Sequence, residues 1–285
     1  SFVEMSELFK FPKPLIAVIL ASLLAGCAST NKDAKALLNP DPPGKMYATA
    51  DAYLSSGKYE RAAKKFEDLD RDHPYAPEAR RAMVMAAYAY FKGGKYPEAV
   101  ATARRYTTMH PGTKEAPFAH HIIASCYFGD MTGPQNDQSN ALKALNELRT
   151  LKSRYPDSKY AREADNRIRI ALDSLAAKEM DVGRYYLKRR NYLAAINRFK
   201  HVVSQYSNTR QVEEALMRLT ESYLALGITN EAQTAAAVLG HNFPQSRWYK
   251  DAYVLLQSGG LAPREDTGTW LSKTWNNLKI PTIKL

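Results

Sequence analysis

A chain of 285 residues with 40 Lys and Arg against 29 Asp and Glu carries a formal net charge of +11, and it has two cysteines. Two thiols exclude a four-thiolate zinc site. The basic excess suits acidic partners or anionic headgroups. It is spread along helical segments, however, where much of it is solvated face, and with no recognised nucleic-acid motif a nucleic-acid partner is not expected.

The first element in chain order is a leader. Lys10 and Lys13 form a short positive region, and an apolar run from Leu15 to Gly26 follows, broken only by Ser22. That run is well short of the ~20 apolar residues that span a bilayer, so it reads as a secretory signal rather than a transmembrane helix. It ends in Leu24-Ala25-Gly26-Cys27, which resembles the bacterial lipobox, where small residues before a Cys let a peptidase cleave after the thiol is acylated. The expected organisation is a signal peptide over 1–26, lipid attachment at Cys27, and a polar, Pro-rich, flexible tether over 27–45. Two or more acyl chains hold a protein stably at a membrane, where one does so only marginally. Ala28 stands where the inner-membrane retention rule wants Asp, so the expected address is the periplasmic face of the outer membrane. With Cys27 taken by lipid, Cys126 has no disulfide partner, and in its apolar stretch it reads as a small core residue.

From residue 43 onward the chain is helical and repetitive. Pro74, Pro111, Pro156, Ser207 and Pro244 mark recurring segments at intervals of 37, 45, 51 and 37 residues. Eight residues after each marker stands an Ala (Ala82, Ala119, Ala164, Ala215, Ala252), and sixteen after the first four stand Tyr90, Tyr127, Leu172 and Tyr223. Between markers lie second elements, opening at Gly57-Lys58-Tyr59, Gly94-Lys95-Tyr96, Tyr192 and Gly227. Each unit therefore reads as a helix, a Gly or Asn turn, a second helix and a Pro-marked exit. Small Ala positions allow close helix approach. Gly129–Gln138 is read as a surface loop, and an uninterrupted helix is expected from Tyr160 to about Met180, with Ile168, Leu172 and Leu175 on one face. The fold predicted is an all-α tetratricopeptide-like solenoid of about five units over 43–258. Such arrays expose a concave face built from the first helix of each unit.

Matching repeat positions places Arg81, Val84, Tyr88 and Phe91 from the second unit, and Phe118, His121 and Phe128 from the third, on that face. They suit an extended, hydrophobic-ended peptide, or else ordinary core between repeats. His120-His121 looks like a metal pair, but adjacent helical residues point about 100° apart and no ligand stands at i+4; His121 is expected in the groove and His120 in solvent. No nucleophile elbow, phosphate loop or acid–base pair is present, so neither an enzyme nor a cofactor is expected. The tail, 259–285, contains Trp270, Leu271, Thr274, Trp275 and Leu278 on one helical face. A helix so short folds only against something, whether a partner groove, the last repeat, or, less favourably, lipid.

Several blocks together resemble the BamD family of outer-membrane assembly lipoproteins: Asn39-Pro40-Asp41-Pro42-Pro43 running into Met46-Tyr47-Ala48-Thr49-Ala50; Lys65 through Pro74; Ala86 through Lys92; and Tyr185 through Phe199. Asn136-Asp137-Gln138 and Ser207 depart from the family's pattern. The resemblance implies a scaffold of the β-barrel assembly machinery that holds the barrel subunit BamA, joins other Bam lipoproteins and receives unfolded outer-membrane proteins. It implies substrate recognition by the amino-terminal repeats, 43–158, and BamA binding by the carboxy-terminal repeats, 159–258. Arg198, in Asn197-Arg198, is implied to pair with an acidic residue of BamA, a task that suits a guanidinium. Two other readings compete with this one. A periplasmic repeat lipoprotein coordinating cell-wall synthesis would carry a coiled coil or peptidoglycan-binding segment, and a murein hydrolase would need a carboxylate-bearing catalytic domain.

Overall fold

A computed structural model describes residues 40–277 except 132, 134 and 135. The leader, Cys27, most of the tether and Leu278 lie outside the described residues. Among the described residues there are twelve helices and no strand: α1 (Pro43–Ser55), α2 (Tyr59–Asp72), α3 (Pro77–Lys92), α4 (Tyr96–Met109), α5 (Ala116–Gly129), α6 (Ser139–Arg154), α7 (Lys159–Lys188), α8 (Tyr192–Gln205), α9 (Gln211–Ala225), α10 (Thr229–Asn242), α11 (Arg247–Ser258) and α12 (Trp270–Asn277). The all-α repeat fold is as the spacing predicts. Five helix pairs run from α1 to α10, and α11 stands where the first helix of a sixth unit would.

The chain forms two compact units, one ending at Ala82 and the other beginning at Met83. In the first, α1 packs on α2 around Met46, Ala50, Ala62, Ala63, Phe66 and Leu69, all buried. The Tyr47 ring meets Phe66 edge-on with centroids 5.2 Å apart. In the second, each helix from α4 to α10 packs on the next, and α5 on α7, α7 on α9 and α9 on α11 bring first helices of successive units together. That is the way a repeat array makes a core that no single unit could enclose. Phe199, Val202, Leu216, Leu219, Leu239 and Leu256 are fully buried there.

The turns explain where helices stop. Gly57, Gly94 and Gly227 adopt φ of 74°, 72° and 74°, the left-handed conformation that costs glycine nothing. In the fourth unit Arg190 takes this position with φ 57°. Asn191, expected from sequence to make the turn, instead caps α8, its Oδ1 accepting from the Ala194 amide at 3.3 Å. Helix α7 also runs beyond Met180 to Lys188. Gly183 is no stop signal: a Cβ there would overlap the Phe199 ring, so the glycine lets α8 approach α7 closely.

Beyond Gly260 the chain returns across α10. Gln233 Nε2 donates to the Ala262 carbonyl at 2.7 Å, and the Asp266 amide donates to Thr234 Oγ1 at 3.1 Å. The Trp270 amide donates to Glu231 Oε1 at 2.9 Å. Leu271 is fully buried, which stabilises by about 2 kcal/mol. Trp270 lies under the Lys200 ammonium at 4.1 Å, and Trp275 meets Phe243 edge-on at 6.5 Å. Of the alternatives left open for the tail, docking on the last repeats is the one the structure contains.

Candidate functional site

The residues proposed for a groove fall into three groups. Arg81 lies in the compact unit that ends at Ala82, exposed, with its guanidinium 5.5 Å from the Tyr47 centroid. Tyr88, Phe91, Phe118, His121 and Phe128 belong to the second unit, and each is half-buried. Val84 is buried in the core at 2% exposure, which corrects its placement on a binding face. On α3, Val84 and Tyr88 are one helical turn apart, and the half-buried surface begins at Tyr88.

From Tyr88 onward the rings form a continuous strip. Phe91 stacks on Tyr96 at 6.1 Å, Tyr88 meets Phe91 at 6.5 Å and Phe118 at 5.5 Å, and Phe118 stacks on Tyr160 at 5.4 Å. His121 closes the strip, 4.8 Å from Tyr160. Offset rings at these separations attract each other beyond their area burial, so the strip is a preformed apolar surface supplied by α3, α4, α5 and α7. Sequence spacing did not place Tyr96 and Tyr160 on this surface; they stand in the first turns of α4 and α7. The polar edge is ordered as well. Arg167 Nη1 donates to Ser125 Oγ at 2.7 Å, that hydroxyl lies 3.5 Å from His121 Nε2, and the Arg167 guanidinium stands 5.7 Å from the Phe128 centroid. Burial, then the Arg167 and Lys159 charges, push the His121 imidazole down to about 4 against the opposing pull of Glu163. The ring is therefore neutral at ordinary pH.

Its neighbour is a correction. His120 is buried at 5% exposure rather than in solvent, with Nδ1 2.5 Å from Glu147 Oε1. Helix α5 is enclosed by α4, α6 and α7, so residues on two of its faces meet protein. Arg104 Nη2 lies 3.8 Å from the other Glu147 oxygen, which ties the pair to α4. Cys126 is buried, and burial pushes its thiol up to about 12, so it stays protonated and unreactive.

Arg198 lies in a different setting. Glu179 and Tyr186 of α7 with Ala194, Asn197, Arg198 and His201 of α8 line an open cleft of about 320 Å³. The α8 residues stand at i, i+3, i+4 and i+7, one face of the helix. Arg198 Nη1 donates to Glu179 Oε2 at 3.1 Å, using one of the five N–H donors of the guanidinium. Glu179 escaped the sequence reading because helix-hairpin register, not repeat period, brings it opposite Arg198.

Comparison with known proteins follows the same lines. The profile of the YfiO family, described as outer membrane lipoprotein, matches residues 40–239. A Caulobacter vibrioides protein named outer membrane protein assembly factor BamD is 40% identical over 249 residues, covering 87% of this chain and 82% of its own. Proteins of the same name from Rickettsia prowazekii and Neisseria meningitidis are 34% and 33% identical, covering 87% and 85% of this chain and 98% and 95% of theirs. Among solved structures, a tetratricopeptide repeat protein from Parabacteroides merdae is similar with a TM-score of 0.34 and 15% identity, over 76% of this chain and 75% of that one.

Proposed function

The chain belongs to the YfiO family of outer membrane lipoproteins, and from that premise we propose that it is a lipid-anchored scaffold of the outer-membrane β-barrel assembly machinery. Anchored through Cys27 at the periplasmic face, it holds BamA by the cleft around Arg198 and presents the aromatic strip to unfolded outer-membrane proteins. Its work is binding, with no reaction and no cofactor. The relatives named as outer membrane protein assembly factors support the coarse role.

The observation that carries the finer reading is that two chemically distinct surfaces stand on one packed unit. One lies at the start of α7 with α3, α4 and α5, and the other at its end with α8. The strip of Tyr88, Phe118, His121 and Tyr160 offers half-buried rings with a neutral imidazole and the Arg167 guanidinium at its polar edge. Such a surface gains most from apolar side chains on an extended segment and discriminates little among sequences, as a receiver of many unfolded chains requires. The α7–α8 cleft offers instead a guanidinium with donors to spare beside an acidic neighbour. That geometry suits one specific carboxylate, held by paired charge-assisted bonds.

The two activities should separate by mutation. Tyr88→Ala with Phe118→Ala is expected to cut crosslinking of unfolded barrel-protein peptides severalfold while BamA still co-purifies. Arg198→Glu is expected to do the reverse, weakening BamA binding on the order of 30-fold or more, as loss of an interfacial charge pair does. Thermal melts of both variants control for folding. Peptide crosslinking unchanged by the double substitution would remove the strip from substrate binding, and undiminished BamA co-purification would remove Arg198 from that interface.

A further inference from the structure

Four first-to-second helix turns share one hydrogen-bond pattern. Gly57 N donates to Leu54 O at 3.1 Å and Lys58 N to Tyr53 O at 2.9 Å; Gly94 N to Phe91 O at 3.0 Å and Lys95 N to Tyr90 O at 2.9 Å. Gly227 N donates to Leu224 O and Ile228 N to Tyr223 O, both at 2.9 Å; Arg190 N to Leu187 O at 2.9 Å and Asn191 N to Tyr186 O at 3.0 Å. Three of these turns put glycine at the left-handed position. The fourth puts arginine there, with φ 57°, the one non-glycine residue at positive φ among the described residues. A side chain in that conformation is strained, and glycine would make the same turn without the strain. The fold therefore gives no reason for Arg190.

Its surroundings give one. Lys188, Arg189 and Arg190 are consecutive and exposed. Tyr185 is 51% exposed and Leu193 66%, although both are large and apolar. The Arg189 guanidinium stacks over Tyr185 at 3.7 Å, which orders both side chains before any partner arrives. The Tyr185 ring meets Tyr186 edge-on at 5.6 Å, and Tyr186 lines the cleft that holds Arg198. Arg189 and the ordered Tyr185 are thus continuous with that cleft, and the exposed Lys188, Arg190 and Leu193 flank them at the same turn.

We infer that the α7–α8 turn, Lys188-Arg189-Arg190 with Tyr185 and Leu193, is a second docking element for the same protein partner that engages Arg198, and that it grips an acidic, partly apolar face of that partner. The inference rests on the cleft reading above. Arg and Tyr anchors dominate protein interfaces, and an arginine held under strain away from the fold's needs is the mark of a functional position. A flat bilayer could reach the three cations, but not the half-buried Glu179 beside Arg198 in the adjoining cleft. A protein surface can engage both.

The test uses Arg190→Gly, Arg190→Lys and Arg198→Glu in the full chain, with the purified periplasmic domains of BamA as probe. Affinity is measured at low and high salt, melting temperature alongside, and binding to phosphatidylglycerol vesicles in parallel. Arg190→Gly is expected to melt a few degrees higher, because strain is relieved, yet to bind the probe ~3- to 10-fold more weakly with a shallower salt dependence. Arg190→Lys should recover much of the affinity. Unchanged affinity in Arg190→Gly, while Arg198→Glu loses binding, would overturn the inference and leave the cleft reading standing. Wild-type affinity in Arg198→Glu would overturn the cleft reading itself. Loss of vesicle binding in Arg190→Gly with unchanged probe affinity would assign the turn to lipid and overturn the inference.

Discussion

Burial beneath Phe118 and Tyr160, reinforced by the Arg167 and Lys159 charges, holds His121 at about 4 against an ordinary value of 6.5. The folded imidazole resists a proton that the unfolded chain accepts. Its contribution to stability is therefore complete above about pH 6.5 and is lost as pH falls toward 4. The imidazole is half-exposed, so the effect is discounted to about 1–2 kcal/mol. Urea melts at pH 7 and pH 4 should show wild type losing that much more stability than His121→Phe, which cannot titrate there. Equal losses would mean that the imidazole is solvated and charged in the fold. His121 was placed at the groove from sequence because it stands ten residues after Pro111, as Val84 does after Pro74. The burial of His120 was not legible, because it depends on Glu147 of α6, 27 residues on, and no periodicity announces that partner. Val84 failed for the converse reason, since a repeat position near a groove says nothing of depth.

At the scale of elements, the recurring Pro, Ala and Tyr offsets located the helix pairs because each offset is a packing constraint that recurs along the array. Ser207 and Leu172 substitute for one Pro and one Tyr. Two elements broke the pattern. Helix α7 runs through Gly183 because the glycine serves the Phe199 ring and not a turn. The tail settles on α10 through Gln233, Thr234 and Glu231. It covers an end where stacking would otherwise stop. Leu271→Ala should cost about 2–4 kcal/mol, and truncation after Gly260 should lower the melting temperature by several degrees while the helices from α3 to α9 remain folded. Calorimetry and circular dichroism read both. A truncated chain that melts with wild type would show that the docked tail contributes nothing to the repeats, and that its role lies with a partner.

The whole molecule combines a repeat array, whose fold and family were both readable from the sequence, with surfaces that were only partly so. Arg198 could be placed through a family resemblance, but Glu179, Tyr186 and the strained Arg190 turn around it required the hairpin to be folded. Among the described residues no helix is long and apolar enough to cross a membrane, and the proposed membrane attachment rests on Cys27, outside the described residues. The central claim is that this scaffold is bound to BamA. The most direct measurement is affinity purification of the tagged full chain from detergent-solubilised membranes, with the retained proteins identified by mass spectrometry. BamA should be retained in near-stoichiometric amount by wild type and lost with Arg198→Glu. Recovery of peptidoglycan-synthesis enzymes with no BamA would contradict the account.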